Sequence, residues 1–208
     1  MRVIALIADI VASRNLGQRA AFQRRLEKAL QKITAGARDL ASPYTITLGD
    51  EFQAVYRKSD FLFADVFTIM ADIHPVRARF AIGVGELTTK INPEQALGMD
   101  GPAFHDARAA LTALKADKRL LRIAGASMPD WGMADHVLNL LSHQVAGWSR
   151  NRLLIVSGLL RGRSVKEIEA GLQISRVAVY KNIRAAALDD VVGICQELER
   201  ALNQAMRN

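Results

Sequence analysis

The run TITLGDEFQAVY, residues 45–56, contains two short β-type stretches, Tyr44–Leu48 and Phe52–Tyr56, either side of Gly49-Asp50-Glu51. Glycine and aspartate favour a tight turn, so this reads as a hairpin with two carboxylates at its tip. A carboxylate pair at a strand end is a site for a cation. A third acid is available at Asp9, because Val3–Ala8 is a near-continuous apolar run typical of a strand buried on both faces and Asp9 stands where that run stops.

Working outward, Leu16–Ala35 carries Phe22, Leu26, Ala29, Leu30 and Ile33 at helical spacing, with Arg24, Arg25, Lys28 and Lys32 on the other side. Ser42-Pro43 is expected to break the chain before the hairpin. A second helix is predicted over 60–73, with Phe61, Val66, Ile69 and Met70 as its apolar residues, closed by Pro75. In Arg77–Leu87, RARFAIGVGEL, Phe80, Ile82 and Val84 alternate with Ala81, Gly83 and Gly85. That alternation predicts a strand, and the glycines predict close packing of a helix or ligand. The order strand, helix, strand, strand, helix, strand defines a ferredoxin-like α+β plan, assigned to residues 1–128.

Residues 88–100 read as a loop, and Gly101-Pro102 opens a helix to about Ala116. A short strand is expected over 119–124. From Pro129 to Trp148 a connecting helix should place Met133, Val137, Leu140, Leu141 and Val145 on one face.

Residues 149–208 are expected to form a small all-α domain. Ser164 and Glu167 make a capping box, Gln173-Ile174 a turn, and Ser175 the cap of a further helix, read as Ser175–Leu188, with Val179 and Ile183 facing inward. Arg150–Leu160 would support them, and Val192, Cys195, Leu198 and Leu202 keep register along the tail. Of the net charge of +7, residues 150–184 hold +6, with eight Lys or Arg against Glu167 and Glu169. Such an asymmetry points to a polyanion, with a solvated helical face as the alternative.

The 208 residues, half of them hydrophobic, suffice for one large domain or two small ones. The apolar run Val3–Ala12 is interrupted by Asp9 and far short of the roughly 20 residues of a membrane span. Neither a signal peptide nor a membrane segment is expected. A single cysteine, Cys195, excludes an internal disulfide framework and fits a cytoplasmic protein.

The segments ADIVAS, GDEF, RFAIGVGEL and GPAFHDAR, in that order, resemble the SatD family of bacterial proteins through residues 1 to about 125. The family resemblance supplies no settled activity. The same landmarks are more distantly similar to the palm domain of class III nucleotide cyclases and diguanylate cyclases. That likeness implies divalent ions, Mg²⁺ or Mn²⁺, held with a nucleotide by Asp9, Asp50 and the Ile10 carbonyl. It places His105, Arg108 and Gly49 against the phosphates, and it allows a homodimer.

This chain departs from that pattern at three places. Ile46 stands where purine-selecting cyclases often have Lys. His105 and Arg108 are three apart rather than four, and Leu48 replaces the first of two glycines. The C-terminal segment is similar to the helix-turn-helix of sigma-factor region four or LuxR type. In that reading Arg176, Tyr180, Lys181 and Arg184 contact DNA.

Two functions are therefore expected. One is a DNA-binding regulator whose cyclase-like part binds a nucleotide or phosphate ligand without turnover. The alternative is an active metal-dependent nucleotidyl cyclase or transferase tethered by its C-terminal part. The bland readings stand beside them: turn chemistry for Asp9 and Asp50, and a packing or dimerising hairpin for the last helices.

Overall fold

The computed structural model describes residues 1–125 and 131–207. It is a mixed α+β structure with one five-stranded sheet and eight α-helices among the described residues.

The central strand is β1 (Arg2–Ile10), which pairs antiparallel with β3 (Glu51–Tyr56) on one side and β4 (Ala78–Glu86) on the other. β2 (Leu40–Leu48) is one edge, and β5 (Leu121–Ala124), parallel to β4, is the other. The order is β2-β3-β1-β4-β5. Side chains alternate across the sheet. Ile4, Leu6, Ala8 and Ile10 enter the core shared with α1 (Arg19–Gly36) and α2 (Leu62–Ile73). Val3, Ala5 and Ile7 enter the one shared with α3 (Pro102–Asp117). Burial on both faces explains why β1 reads as an unbroken apolar run.

Gly83 and Gly85 are where α3 meets β4. A Cβ on Gly83 would fall on the Ala103 carbonyl oxygen and 2.6 Å from the Ala107 nitrogen, and one on Gly85 would lie 2.9 Å from the Ala103 nitrogen. The close partner foreseen for this strand is therefore a helix.

Several sequence expectations need correction. The first helix starts at Arg19, not Leu16, because Ala12 is left-handed at φ 55° and Ser13–Asn15 forms a 3-10 turn first. Ser42-Pro43 does not break the chain and lies inside β2, whose pairing with β3 shifts register on either side. An edge strand tolerates a residue without an N–H, and the shifts absorb it.

The helix α4 spans Trp131–Val145, and the expected start at Pro129 lies outside the described residues, as does the boundary at 128. Its buried face is Ala134, Leu138, Leu141 and Val145, whereas Met133 and Leu140 are 70% and 68% exposed. Both stripes obey helical spacing, so periodicity alone did not choose between them. The Ser142 hydroxyl selects the first: it accepts the Leu120 and Leu121 N–H groups at 3.3 and 3.1 Å, locking α4 to the start of β5.

Beyond it come α5 (Arg150–Leu160), α6 (Val165–Leu172), α7 (Arg176–Ala185) and α8 (Leu188–Ala205). α7 stops short of Leu188 because Ala187 takes a left-handed conformation, φ 46°, which starts α8 in a new direction. These helices share the core on the α1/α2 face of the sheet, so buried residues run continuously from Ile4 to Ala205. Among the described residues no helix is long and apolar enough to cross a membrane.

Candidate functional site

The C-terminal end of β1 and the β2–β3 turn meet through the Ile10 N–H, which donates to the Asp50 carbonyl at 3.0 Å. Strand register sets Asp9 directly between Glu51 on β3 and Arg79 on β4, all on the sheet face covered by α3. Arg79 donates to Asp9 Oδ2 at 2.9 Å, and Lys115 reaches Asp9 Oδ1 at 3.0 Å. Lys115 also lies 3.3 Å from Glu51 Oε1, while Arg108 donates to Glu51 Oε2 at 2.6 Å. Lys115 is seven residues beyond Arg108, two turns along one helical face, so both reach the same strand ends.

The result is a cluster of two acids and three bases. Partial burial works to lower the Lys115 ammonium, but its bonds to Asp9 and then Glu51 outweigh that and hold it above the usual lysine value. All four oxygens of Asp9 and Glu51 are engaged by these cations. A divalent ion beside Asp9 would have to displace the Lys115 ammonium, so the residues as folded do not present the open oxygen set of a two-ion centre. Among the described residues no group of three or more His, Cys, Asp or Glu is arranged to hold a metal.

The other expected residues are divided. Asp50 turns away from Asp9's partners, with Oδ2 accepting from the Ser13 hydroxyl at 2.5 Å. Gly49 is left-handed, φ 54°, and its carbonyl accepts from the Gln23 amide of α1 at 3.4 Å. A Cβ at Gly49 would lie 3.1 Å from the Arg19 guanidinium, which sets a cation behind the turn. His105 does not join Arg108. Its ring bonds Asp100 at 2.8 Å in the open, where the Gly101 N–H first and His105 second hold the Asp100 carboxyl below the ordinary range.

The second region is the helix pair α6–α7. The Ser164 hydroxyl accepts the Glu167 N–H while the Glu167 side chain accepts from the Ser164 backbone, and Ser175 Oγ accepts the Ala178 N–H. Gln173 supplies a left-handed link, φ 54°. Val179 and Ile183 are buried, so the opposite face of α7 presents Arg176, Val177, Tyr180, Lys181 and Arg184 to solvent. Arg176 also donates to Glu169 at 3.1 Å.

Sequence reasoning missed Arg79, Lys115 and Arg19. Arg79 could be found only from strand register, and Arg19 only from the way α1 crosses the hairpin tip. Lys115 left a signal in its seven-residue spacing from Arg108.

Fold and site together define a mixed α+β protein with a charged cluster at the end of its sheet and a basic helix surface beyond. The chain belongs to the SatD family, whose model matches residues 3–190. Two structures of a bacterial light-regulated adenylyl cyclase resemble it at TM-scores of 0.45 and 0.44, with 14% and 16% identity over 59% of this chain. The chain spans 43% of the length of those cyclases. A regulator of polyketide synthase expression from Bifidobacterium adolescentis gives a TM-score of 0.28 and 13% identity over 100% of this chain and 87% of its own. Scores of this size do not establish a shared fold. No curated protein matches the chain.

Proposed function

We propose that this SatD-family protein is a DNA-binding regulator whose sheet-end site holds a nucleotide or other phosphate ligand without turning it over. The carrying observation is α7, where four cationic or hydrogen-bonding side chains (Arg176, Tyr180, Lys181 and Arg184) stand exposed on a helix whose other face is buried. In this reading α6 and α7 are a helix-turn-helix, the N-terminal part of α7 enters the major groove, and β1 to β4 with α1 and α2 form a ferredoxin-like unit. Arg176 and Lys181 read base edges or phosphates, and Arg184 a phosphate.

Binding without turnover is supported by the sheet-end cluster. Three cations there outnumber two acids and attract an anion, while the carboxylates needed for ion-assisted transfer are committed to Arg79, Arg108 and Lys115. Participation of Mg²⁺ or Mn²⁺ would require Lys115 to leave Asp9. The alternative, an active nucleotidyl transferase, draws its support from Asp9 and Asp50 being joined through Ile10.

The test is anisotropy of a labelled DNA duplex over a range of salt concentrations, with the intact protein and Arg176→Ala/Lys181→Ala. The variant should bind about tenfold or more weakly, with its salt slope reduced by about 1 to 2. Unchanged affinity and slope would remove α7 from the interface.

A further inference from the structure

A cleft of about 470 Å³ opens between the α1/α2 layer and α5/α6, apart from the sheet-end cluster and on the α6 side of the helix pair. Its volume is in the range of small-molecule sites, roughly 300–1,000 Å³. Polar groups lie at its base: the Thr68 and Ser157 hydroxyls are 2.7 Å apart, and Ser157 also donates to the Ala64 carbonyl at 2.9 Å.

The charges around it are uneven. Four cations, Lys32, Arg150, Arg161 and Arg163, face two acids, Asp72 and Glu167. Much of this charge is already committed. Arg161 is held by Asp65 at 2.5 Å, Arg150 stands 3.6 Å from Asp72, and the Glu167 carboxylate is taken by the cap of α6, accepting from the Ser164 nitrogen and hydroxyl at 2.7 Å each. Lys32 makes no ion pair among the described residues, and Arg163 acts on Glu167 only through its field. Two cations from different elements, α1 and the loop before α6, thus border one polar cleft without a direct ion pair among the described residues.

We propose that this cleft binds a small polyanion, a phosphorylated molecule of about mononucleotide size, gripped by Lys32 and Arg163. The bound anion ties α6 to α1, so its occupancy reaches α7 through the α6–α7 link. This coupling rests on the DNA-binding reading, whereas occupancy of the cleft does not.

The experiment is calorimetric titration of the full chain with inorganic tripolyphosphate, without DNA. Saturable binding is expected, weakened at least tenfold in Lys32→Ala/Arg163→Ala and kept in Arg108→Ala/Lys115→Ala, which removes two cations of the sheet-end cluster. Both cleft residues are exposed, and Lys32→Gln/Arg163→Gln provides a second substitution that removes the charge while keeping a polar side chain at each position. No saturable binding would overturn the proposal. So would a loss in Arg108→Ala/Lys115→Ala, or in Lys90→Ala at an exposed lysine outside the cleft. Failure of α7 to bind DNA would leave this titration unaffected, so the two readings fail separately.

Discussion

Glu199 is buried on α8 where that helix meets α2, with Oε1 accepting the Phe63 N–H at 3.0 Å. Burial pushes its carboxyl up to about 8; the Phe63 N–H opposes this, and Asp60, Asp65 and Asp39 reinforce it. In the unfolded chain the same group titrates near its ordinary value, about 4.3. Folding therefore binds a proton at neutral pH, and the stability it contributes is complete below about 4.3 and lost as pH rises through about 8. Glu199→Gln keeps an oxygen for Phe63 and removes the titration. The variant should be nearly level with the parent at pH 5 and more stable at pH 9 by on the order of a few kcal/mol, measured by urea unfolding at both. Parallel pH profiles would refute the assignment. Glu199 also shows what residue types in a sequence can and cannot reveal. Asp9 and Asp50 were legible because a strand end and a turn are marked by composition. Arg79, which stands opposite Asp9, and the burial of Glu199 depend on strand register and helix docking, which no local pattern records.

At the scale of elements, the contact between α3 and β4 holds the sheet-end cluster, because α3 carries both Arg108 and Lys115. Gly83→Ala would drive a methyl group into the backbone of α3 at Ala103 and Ala107, neither of which is a flexible side chain that can step aside. Overpacking of this kind costs about 1–3 kcal/mol or more. The variant should lose at least that in chemical denaturation, while Gly171→Ala, with open space around its Cβ position, should not. Equal stability of the two would show that α3 is not seated on β4 as described. Most elements were readable beforehand because alternation in β4 and helical spacing in α1 are strong periodic signals. The failures share a physical cause. On α4 two apolar stripes were available and Ser142, a polar residue, decided between them through β5. At Pro43 the position of β2 at the sheet edge overrode a residue that usually interrupts a strand.

Over the whole molecule, α2 joins the sheet to the C-terminal helices. One side of it packs beneath β1 and β3, and the other meets α5 and α8. Polar contacts cross the same boundary. Arg161, just past α5, donates to the buried Asp65 at 2.5 Å, Ser157 to the Ala64 carbonyl at 2.9 Å, and Ser59 to the Glu199 carbonyl at 2.8 Å. Removing Arg161 would leave the buried Asp65 carboxylate with the Tyr56 hydroxyl, which donates to Oδ2 at 2.8 Å, but without its counter-ion, and breaking such a pair costs about 3–5 kcal/mol when it is fully buried. Separating the C-terminal helices from the sheet would break all three contacts at once and expose one face of α2. The described halves should therefore unfold together. Calorimetry of the full chain is expected to show one transition in which the calorimetric and van't Hoff enthalpies agree. Two resolved transitions would mean that the C-terminal helices are a tethered domain, free to reorient without disturbing the sheet. A single transition constrains how any ligand acts on α7: it must shift α6 and α7 against a fixed α5 rather than swing a loose domain. The cleft between α1 and α6 lies where a bound anion would make that shift.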